Sequence, residues 1–253
     1  MIRVEGVGKV FSDGNESKTV LKDITFHIKK GELVTLLGES GCGKSTLLEM
    51  IGGFMKPTSG EIYIGGMRVT RPIRTCVTLF QDGNLLPWLN VLDNVMLGLS
   101  GTKAEKREKA EAVLSFVGLE GHLRRFPHEL SGGMKQRAAI ARAFAMEPDV
   151  ILMDEPFAAL DTFNRYHLQD ELLRLQAQKE TSILLVTHDI DEAIYLSDKI
   201  IILSANPGRI YDIVDIKLTK PRDRSSEYFH QYRKDILRTF KLSSEAKRLE
   251  YYI

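Results

Sequence analysis

Residues 38–46 are the stretch of this chain best suited to chemistry, because small and polar residues there surround one lysine. They fit the pattern G-x-x-x-x-G-K-[ST], in which glycines let the backbone turn tightly and point successive N–H groups at phosphate oxygens. The Lys44 ammonium would reach the β- and γ-phosphates of a nucleotide, and the Ser45 hydroxyl would hold Mg²⁺. The residues predicted to contact the nucleotide are Gly38, Glu39, Ser40, Gly41, Cys42, Gly43, Lys44, Ser45 and Thr46.

The segments on either side of this loop are of the types that the motif requires. Residues 33–37 form a short apolar run suited to a buried strand, and residues 47–51 are suited to a helix. The amino terminus of that helix would add its partial positive charge to the phosphate site. An ordinary glycine-rich turn is the alternative interpretation, and the flanking strand and helix argue against it.

A second candidate for chemistry is the acidic pair Asp154-Glu155, which ends the apolar run 150–153. Buried strands deliver ligands at their carboxyl ends. Asp154 is therefore suited to bind Mg²⁺, and Glu155, one residue further on, to orient and deprotonate an attacking water. The alternative is that both carboxylates are solvated loop residues. A chain that also has a phosphate-binding loop favours the catalytic interpretation, because Mg²⁺-nucleotide chemistry needs such carboxylates.

The elements that would position these residues alternate between strands and helices. Residues 1–30, with a turn at 12–15, and residues 60–66 alternate between apolar and polar, which predicts a small antiparallel sheet. Helical periodicity dominates from about 85 to 140 and returns in the charged tail, 228–249. Strands alternating with helices predict a mainly parallel α/β sheet. Further buried strands are predicted at 77–80, 150–153, 183–186 and 200–203.

Composition restricts the classes of function. The net charge of +1 gives no overall basic footprint of the kind that nucleic-acid binders show. We find no signal-peptide pattern and no apolar stretch of about 18 residues, so a membrane role would have to come through a partner. Cys42 and Cys76 form no CxxC motif and are expected to be reduced thiols of a cytosolic protein.

Five further segments, read in order, resemble the motifs of ATP-binding cassette (ABC) ATPases. Residues 130–137, Leu-Ser-Gly-Gly-Met-Lys-Gln-Arg, resemble the LSGGQ-type signature of that family. Gln81 resembles the Q-loop glutamine and Phe11 the A-loop aromatic, whereas residues 158–161 and 187–189 resemble the D-loop and the H-loop. The match extends from about residue 2 to 210 and implies a P-loop NTPase (RecA-like) core with an antiparallel β subdomain and an inserted α-helical subdomain.

The resemblance implies one nucleotide-binding domain over residues 1–253, with a helical subdomain at about 85–140 and a short helical tail at about 225–253. It also implies roles for individual residues in the hydrolysis of ATP with Mg²⁺. The expected catalytic residues are Glu155, His188 and Lys44. The expected metal ligands are Ser45, Gln81 and Asp154. The further expected nucleotide contacts are Phe11, Gln81, Ser131, Gly132, Gly133, Gln136 and Asp161.

Several of these residues also have simpler interpretations. Ser131 is a good N-cap for the alanine-rich helix that follows it. His188 could be a strand-end histidine that fills a polar niche. Phe11, which replaces the more common tyrosine and lacks its hydroxyl, could be a core aromatic.

Segments 81–91, 187–193 and 204–209 resemble the importers of the nitrate, sulfonate and taurine type, which also include pyrimidine-precursor importers. Trp88, the single tryptophan, is then expected near the groove that receives a membrane subunit, unless it is part of the helical core. The implied assembly is a head-to-tail dimer with ATP between the signature of one copy and the phosphate loop of the other. It would bind two membrane-spanning permease subunits, act indirectly with a solute-binding protein, bind no nucleic acid and lie at the cytoplasmic face of the membrane.

Three alternatives remain. A soluble ABC ATPase acting on DNA or ribosomes usually has two cassettes or a long coiled coil, and neither is present. A non-hydrolysing regulatory subunit is expected to lack Glu155 or His188, and both are present. A small-molecule kinase would leave the signature and Asp161 without a purpose.

Overall fold

The computed structural model of the chain describes residues 1–14, 16–81, 84–158 and 160–250, and for Asp13 and residues 241–250 it describes the backbone alone. A few residues of the segments named above lie outside the described ranges. They are Asn15 of the predicted turn, Asp82 and Gly83 after the Q-loop glutamine, Ala159 of the D-loop segment, and residues 251–253 of the tail.

Strands and helices alternate along the described chain, as the α/β prediction requires. The strands are β1 (Ile2–Asp13), β2 (Glu16–Ile28), β3 (Leu33–Gly38), β4 (Ser59–Ile64), β5 (Met67–Arg68), β6 (Cys76–Leu79), β7 (Val150–Asp154), β8 (Ser182–Thr187), β9 (Lys199–Ser204) and β10 (Arg209–Asp215). The α-helices are α1 (Lys44–Ile51), α2 (Val91–Met96), α3 (Lys103–Phe116), α4 (Gly132–Ala145), α5 (Thr162–Lys179), α6 (Ile190–Leu196) and α7 (Glu227–Glu250). Within the described ranges, no helix is long and apolar enough to cross a membrane.

The chain divides into two compact units. Unit 1 comprises Met1–Ile73 and Leu184–Ile253, and unit 2 comprises Arg74–Ile183. Helices α2 and α3 and the first part of α4 fall within the segment predicted to be a helical insertion. The single-domain organisation itself stays a prediction.

Unit 1 contains an antiparallel sheet in the strand order β2-β1-β4-β5, as the alternating segments predict. Val4 of β1 pairs with Phe26 of β2 on one side and with Ile62 of β4 on the other. All three side chains are buried, so the strands share one apolar face. Because side chains alternate across a strand, the other face receives the polar residues.

The second group of strands in unit 1 has the order β10-β9-β3-β8. β3 is buried over its whole length and runs parallel to β9, with Leu36 opposite Ile201. Strands buried on both faces appear in sequence as continuous apolar runs, which is why the sequence could identify them. β3 ends at Gly38, and α1 begins at Lys44. The glycine loop therefore leaves the carboxyl end of a buried parallel strand, where α/β sheets bind their ligands.

In unit 2, β6 runs parallel to β7, with Cys76 opposite Val150. Helix α4 packs against α2, α3 and α5. Its small buried residues let these helices approach closely, and they include Ala138, Ala139 and Ala141. One face of α5 is apolar and buried, and it includes Leu168, Leu172 and Leu175.

Candidate functional site

The phosphate-binding loop in unit 1 depends on glycines with left-handed backbone conformations. Gly41 has a φ of +79° and Gly43, the N-cap of α1, a φ of +99°. A Cβ atom on Gly43 would also lie 2.8 Å from Cδ2 of Leu21, too close for any carbon pair. Only glycine can adopt this left-handed conformation and also avoid the contact with Leu21 without strain. Its turn leaves the first amide groups of α1 without a side-chain cap in the described structure.

Lys44 stands at the start of α1 and points back across this loop. Its side chain is only 6% exposed, and Nζ donates to the carbonyl oxygens of Gly38 at 2.8 Å and Glu39 at 2.9 Å. The ammonium is thus held next to the free amides at the positive end of the helix dipole. Ser45 is exposed in the same first turn. The arrangement has the features of an anion site, with a hydroxyl at its edge.

A second segment, which the sequence marked only as a subfamily feature, supports the back of the loop. Gly208 donates its N–H to the carbonyl of Val20 at 2.8 Å and accepts from Lys22 N–H at 2.9 Å. A Cβ atom on Gly208 would collide with the carbonyl oxygen of Cys42. Glycine is therefore required here so that β2 and the phosphate-binding loop can approach each other. The glycine after Pro207 was the available signal for this requirement.

The Cys42 thiol belongs to the interior of this loop. The residue is 1% exposed, and Sγ lies 3.9 Å from Nζ of Lys44. Burial raises the pKa of the thiol, and the nearby Lys44 ammonium offsets part of that effect. Cys42 is therefore a packed, mostly protonated side chain of the phosphate site rather than a reactive surface thiol.

His188, also in unit 1, lies between a buried strand and a short helix and is exposed, not packed into the interior. A hydrogen-bond network fixes the residues on both sides of it. The Thr187 hydroxyl donates to Glu192 at 2.7 Å and accepts from the Asp189 N–H at 3.0 Å. The Asp189 carboxylate caps α6 by accepting from the N–H groups of Asp191 at 2.8 Å and Glu192 at 3.1 Å. The backbone on both sides of His188 is thus fixed, and the residue itself is exposed.

Two aromatic residues for which a core position was the alternative are exposed instead. Phe11 of β1 is 42% exposed, with the Lys9 ammonium 4.9 Å from its ring centroid. Trp88, in unit 2, is 70% exposed. Both rings therefore offer apolar faces to ligands or partners, and the core interpretation is wrong for each.

The turn that presents Trp88 is held by Asn94, a residue that the sequence did not single out. Asn94 is fully buried in α2. Its side-chain oxygen accepts from Leu86 N–H at 2.7 Å, and its Nδ2 donates to the carbonyls of Leu86, Leu89 and Asn90. A buried amide with every bond satisfied fixes the surrounding chain strongly. Trp88 is therefore kept in the solvent by a rigid turn.

The acidic pair of unit 2 lies at the end of β7, as predicted. Asp154 is the last residue of the strand, and Glu155 follows with a left-handed φ of 44°. Such a conformation is uncommon for a residue with a side chain and is concentrated at functional sites. β6 is the parallel neighbour of β7, with Leu79 opposite Met153. Gln81, two residues beyond β6, therefore emerges at the same sheet edge as both carboxylates.

The signature segment opens α4 of unit 2. Ser131 is its N-cap and accepts from Met134 N–H at 3.3 Å, so the capping interpretation is correct whatever else Ser131 does. A Cβ on Gly133 would lie 3.4 Å from Leu160 and within 4 Å of Asn164, which places the D-loop region next to the helix entry. Gln136 is buried within α4, and its contact with a nucleotide stays a prediction.

Asp161 is the N-cap of α5. It accepts from Asn164 N–H at 3.1 Å and from Asn164 Nδ2 at 2.6 Å. These hydrogen bonds, the side-chain one first, lower the pKa of its carboxyl. In unit 2, Gln81 thus emerges at the sheet edge that also carries Asp154 and Glu155. Asp161 lies near the start of the signature helix. In unit 1 the chain forms the phosphate-binding loop and places the exposed His188 between β8 and α6.

Known proteins resemble this chain over most of its length. A family model described as ABC transporter matches residues 21–158. The aliphatic sulfonates import ATP-binding protein SsuB of Bacillus cereus (strain ATCC 10987 / NRS 248) is 46% identical over 239 residues, which cover 94% of this chain and 95% of that protein. The bicarbonate transport ATP-binding protein CmpD of Synechocystis sp. (strain ATCC 27184 / PCC 6803 / Kazusa) is 41% identical over 229 residues, covering 88% and 81%.

A solved structure gives the same result for the fold. It is the dimeric structure of a post-hydrolysis state of the ATP-binding cassette MJ0796 bound to ADP and Pi. The TM-score is 0.76 at 33% identity, and the likeness covers 87% of this chain and 100% of that one. The predicted α/β fold class is confirmed.

Proposed function

Because this chain belongs to the ABC transporter family and is an ATP-hydrolysing subunit, we propose that it drives the uptake of a small solute. The solute classes are those predicted from the motifs, namely nitrate, sulfonate, taurine or a pyrimidine precursor. The names of the relatives favour the anionic members, since sulfonates and bicarbonate are small anions. The two relatives also match the importer branch that the sequence predicts.

The phosphate-binding loop is the observation on which this function rests. A buried ammonium that is held by neutral carbonyls keeps its whole charge for an incoming anion. Lys44 and the free amides of α1 would together hold the β- and γ-phosphates of ATP, with Gly38, Glu39, Ser40, Gly41, Cys42, Gly43 and Thr46 forming the rest of the cradle. Phe11 would stack its exposed ring on the adenine.

Hydrolysis of the γ-phosphate consists mostly of positioning and charge stabilisation. Glu155 would orient the attacking water and take its proton. This role is possible because Glu155 follows directly after the carboxyl end of β7. His188 would contact the γ-phosphate and hold the water, and its exposed ring on a fixed backbone suits that role. Lys44 would stabilise charge that develops on the phosphate oxygens.

The expected metal ligands fit Mg²⁺ by their chemistry. Ser45 offers an exposed hydroxyl, Gln81 an exposed amide oxygen and Asp154 a half-buried carboxylate. All three are hard oxygen donors, which Mg²⁺ binds together with water and phosphate oxygens. When bound, the ion would neutralise charge on the phosphates.

The assembly that we propose is a head-to-tail pair of two copies. Ser131, Gly132 and Gly133, at the amino end of α4, would close over the ATP of the partner copy, with Gln136 and Asp161 in support. Two permease subunits would bind each pair at the cytoplasmic face of the membrane, and a solute-binding protein would deliver the cargo to them. The exposed Trp88 would contact a permease. The near-neutral net charge argues against nucleic acid as a partner.

The decisive experiment replaces Glu155 by glutamine in the full chain. Glu155→Gln should bind a fluorescent ATP analogue within about twofold of the wild type, while phosphate release falls about 100-fold or more, because the general base is lost. Glu180→Gln is the matched control, since Glu180 has a similar left-handed φ of 49° in the same unit. Phosphate release at the wild-type rate from Glu155→Gln would refute the assignment of the base.

The importer role has a test of its own. The tagged chain, produced together with candidate permease genes, should retain two permease subunits through purification. Trp88→Ala should lose most of that retention and keep the ATPase activity of the isolated chain. Equal retention by Trp88→Ala would exclude the tryptophan turn from the permease contact.

A further inference from the structure

We propose that the tail after β10 positions the catalytic histidine: Arg222 and Arg233 hold the two ends of α6 and thereby fix His188. This role of the tail rests on the role proposed above for His188. All the residues concerned lie in unit 1. Arg222 and Arg233 are then positioning residues, and neither needs to touch the nucleotide.

Arg222 holds the carboxyl end of α6. Its guanidinium is buried, with the residue only 5% exposed. Nη1 donates to the carbonyls of Ile194, Tyr195 and Ser197, the last two at 3.2 and 2.7 Å. The final carbonyls of a helix have no partner within the helix and carry its negative partial charge. A buried planar cation is well suited to satisfy them.

The same guanidinium also donates to carbonyls of the tail, so that one side chain connects the tail to the carboxyl end of α6. Nε donates to Leu218 O at 3.0 Å, and Nη2 donates to Ile216 O at 3.4 Å. Two neighbouring cations add to this attachment. Lys220 Nζ lies 2.7 Å from Asp198 Oδ1, and the Arg224 guanidinium lies 3.3 Å from the ring centroid of Tyr195 in α6.

Arg233 holds the amino end of α6 from the following helix, α7. Its Nε lies 3.2 Å from Oδ1 of Asp191, in the first turn of α6, which makes an ion pair without hydrogen-bond geometry. Helix α7 packs against α6, and its residues Phe229 and Ile236, one turn before and after Arg233, are buried. The position of Arg233 is therefore fixed by the packing of α7.

The contacts on Asp191 lead directly to His188. The Asp191 N–H donates to Asp189, and Asp189 N–H in turn donates to the Thr187 hydroxyl. Glu192, in the next position of α6, accepts from that same hydroxyl. His188 lies between Thr187 and Asp189, so both of its neighbours are bonded to the first turn of α6. A shift of α6 would therefore move His188.

Helix α6 depends on outside contacts for its orientation because it has only seven residues. Helices shorter than about 12 residues are marginal on their own in water. Displacements of about 1 Å in catalytic groups are known to reduce rates by up to about 100-fold. The tail that holds both ends of α6 is thus placed to set the rate of hydrolysis without taking part in nucleotide binding.

The test is Arg233→Gln in the full chain, because this half-exposed ion pair can be removed without emptying the core. We expect kcat for ATP hydrolysis to fall about two- to fivefold, the range that exposed ion pairs support. KM for ATP and the affinity for a fluorescent ATP analogue should stay unchanged, and the melting temperature should fall by less than about 4 °C. Arg233→Lys should keep the wild-type kcat, and Lys234→Gln, which removes the same charge from the next position, should do so too.

A double-mutant cycle identifies the partner. Asp191→Asn should lower kcat by the same factor as Arg233→Gln, and the double variant should show no further loss. Arg222→Gln should destabilise the chain, since it leaves helix carbonyls buried without donors, and the positioning role is therefore tested at Arg233. Wild-type kcat in Arg233→Gln, or independent losses that multiply in the double variant, would overturn the inference. A parallel loss of kcat, nucleotide affinity and melting temperature in Arg233→Gln would also overturn it, because the tail would then be merely structural.

His188→Ala separates this inference from the function on which it rests. An active His188→Ala variant would refute the proposed role of the histidine itself. An inactive His188→Ala variant together with an unaffected Arg233→Gln variant would refute the positioning role alone.

Discussion

At the scale of single residues, Gly43 shows how a phosphate site depends on the absence of a side chain. The residue turns the loop into α1 with a φ of +99° and packs against Leu21 of β2. Its conformation directs the following amides toward the anion. An added methyl group would make the left-handed conformation unfavourable and would also lie 2.8 Å from Cδ2 of Leu21.

Gly43→Ala should therefore weaken nucleotide binding by about tenfold or more, because the loop must shift away from Leu21 to accommodate the methyl group. The measurement is titration of the full chain with a fluorescent ATP analogue. Gly65→Ala is the control, since Gly65 has a φ of +58° and a Cβ there meets no described atom within 4 Å. It should lower stability slightly and leave binding unchanged. Equal affinities for the two variants would contradict the steric argument.

Cys42 gives a second prediction at this scale. Its thiol is buried and its pKa is raised, so little thiolate is available near pH 7. Alkylation by iodoacetamide should be slow, should accelerate as the pH rises above 9, and should abolish nucleotide binding once it is complete. Mass spectrometry of the Cys76→Ser variant measures the alkylation of Cys42 alone. In the unmodified chain Cys76 should react even more slowly, because burial raises the pKa of its thiol to about 12. Fast alkylation at pH 7, or full ATPase activity after stoichiometric alkylation, would contradict this.

At the scale of elements, a buried ion pair connects the signature helix to the helix after the D-loop. Arg137 Nη1 in α4 lies 3.2 Å from Glu171 Oε1 in α5 and donates to the carbonyl of Val117 at 3.2 Å. Burial raises the pKa of the Glu171 carboxyl. Arg137 first, then His167 and Arg174, act against this rise, whereas Asp170 adds to it. Removing Arg137 would leave a buried carboxylate without its main partner.

Arg137→Met should destabilise the chain by about 3 kcal/mol at pH 8, because the Glu171 charge becomes uncompensated. A carboxyl whose pKa is higher in the folded than in the unfolded chain binds its proton more tightly when folded. Its contribution is therefore most favourable below the unfolded pKa and is lost as the pH rises through the folded pKa. The variant should thus lose more stability between pH 5 and pH 8 than the wild type does.

Urea unfolding of Arg137→Met at the two pH values measures this difference. Glu171→Gln removes the titrating group and is the control background, in which the extra pH dependence of Arg137→Met should disappear. If the free energy of unfolding changed equally with pH in the wild type and in Arg137→Met, Glu171 would not be the group that causes the extra loss of stability.

Elements with local signals could be predicted from the sequence, and those fixed by distant contacts could not. The strand before the phosphate-binding loop and the acids after β7 are encoded by apolar runs and spacing, and both are where they were expected. The buried guanidinium of Arg222 has no such signal, because its acceptors are backbone carbonyls, one of them 28 residues away. Asn94 is similar, since it is explained only by the loop that folds against it. The Pro-Gly pair at 207–208 indicates a turn, but the phosphate-binding loop that packs there is what requires glycine at 208.

At the scale of the whole molecule, the confirmed family and fold leave the pairing of two copies as the main consequence to test. One chain carries the phosphate-binding loop in unit 1 and the signature in unit 2. The MJ0796 cassette, whose structure resembles this chain, is dimeric. If two copies pair head to tail, each ATP is held by Lys44 of one copy and Ser131 of the other. Lesions in these two residues should then complement each other between chains.

Mixing Lys44→Ala chains with Ser131→Arg chains tests this directly. Each variant alone has two defective sites and should release little phosphate. In a mixed pair, one site combines both lesions, and the other combines an intact Lys44 with an intact Ser131. Random pairing therefore restores about a quarter of all sites, and activity should rise toward that fraction. The control is Lys44→Ala alone, at the total protein concentration of the mixture. If Lys44 and Ser131 acted within one chain, no pairing could create an intact site, and mixing would restore nothing.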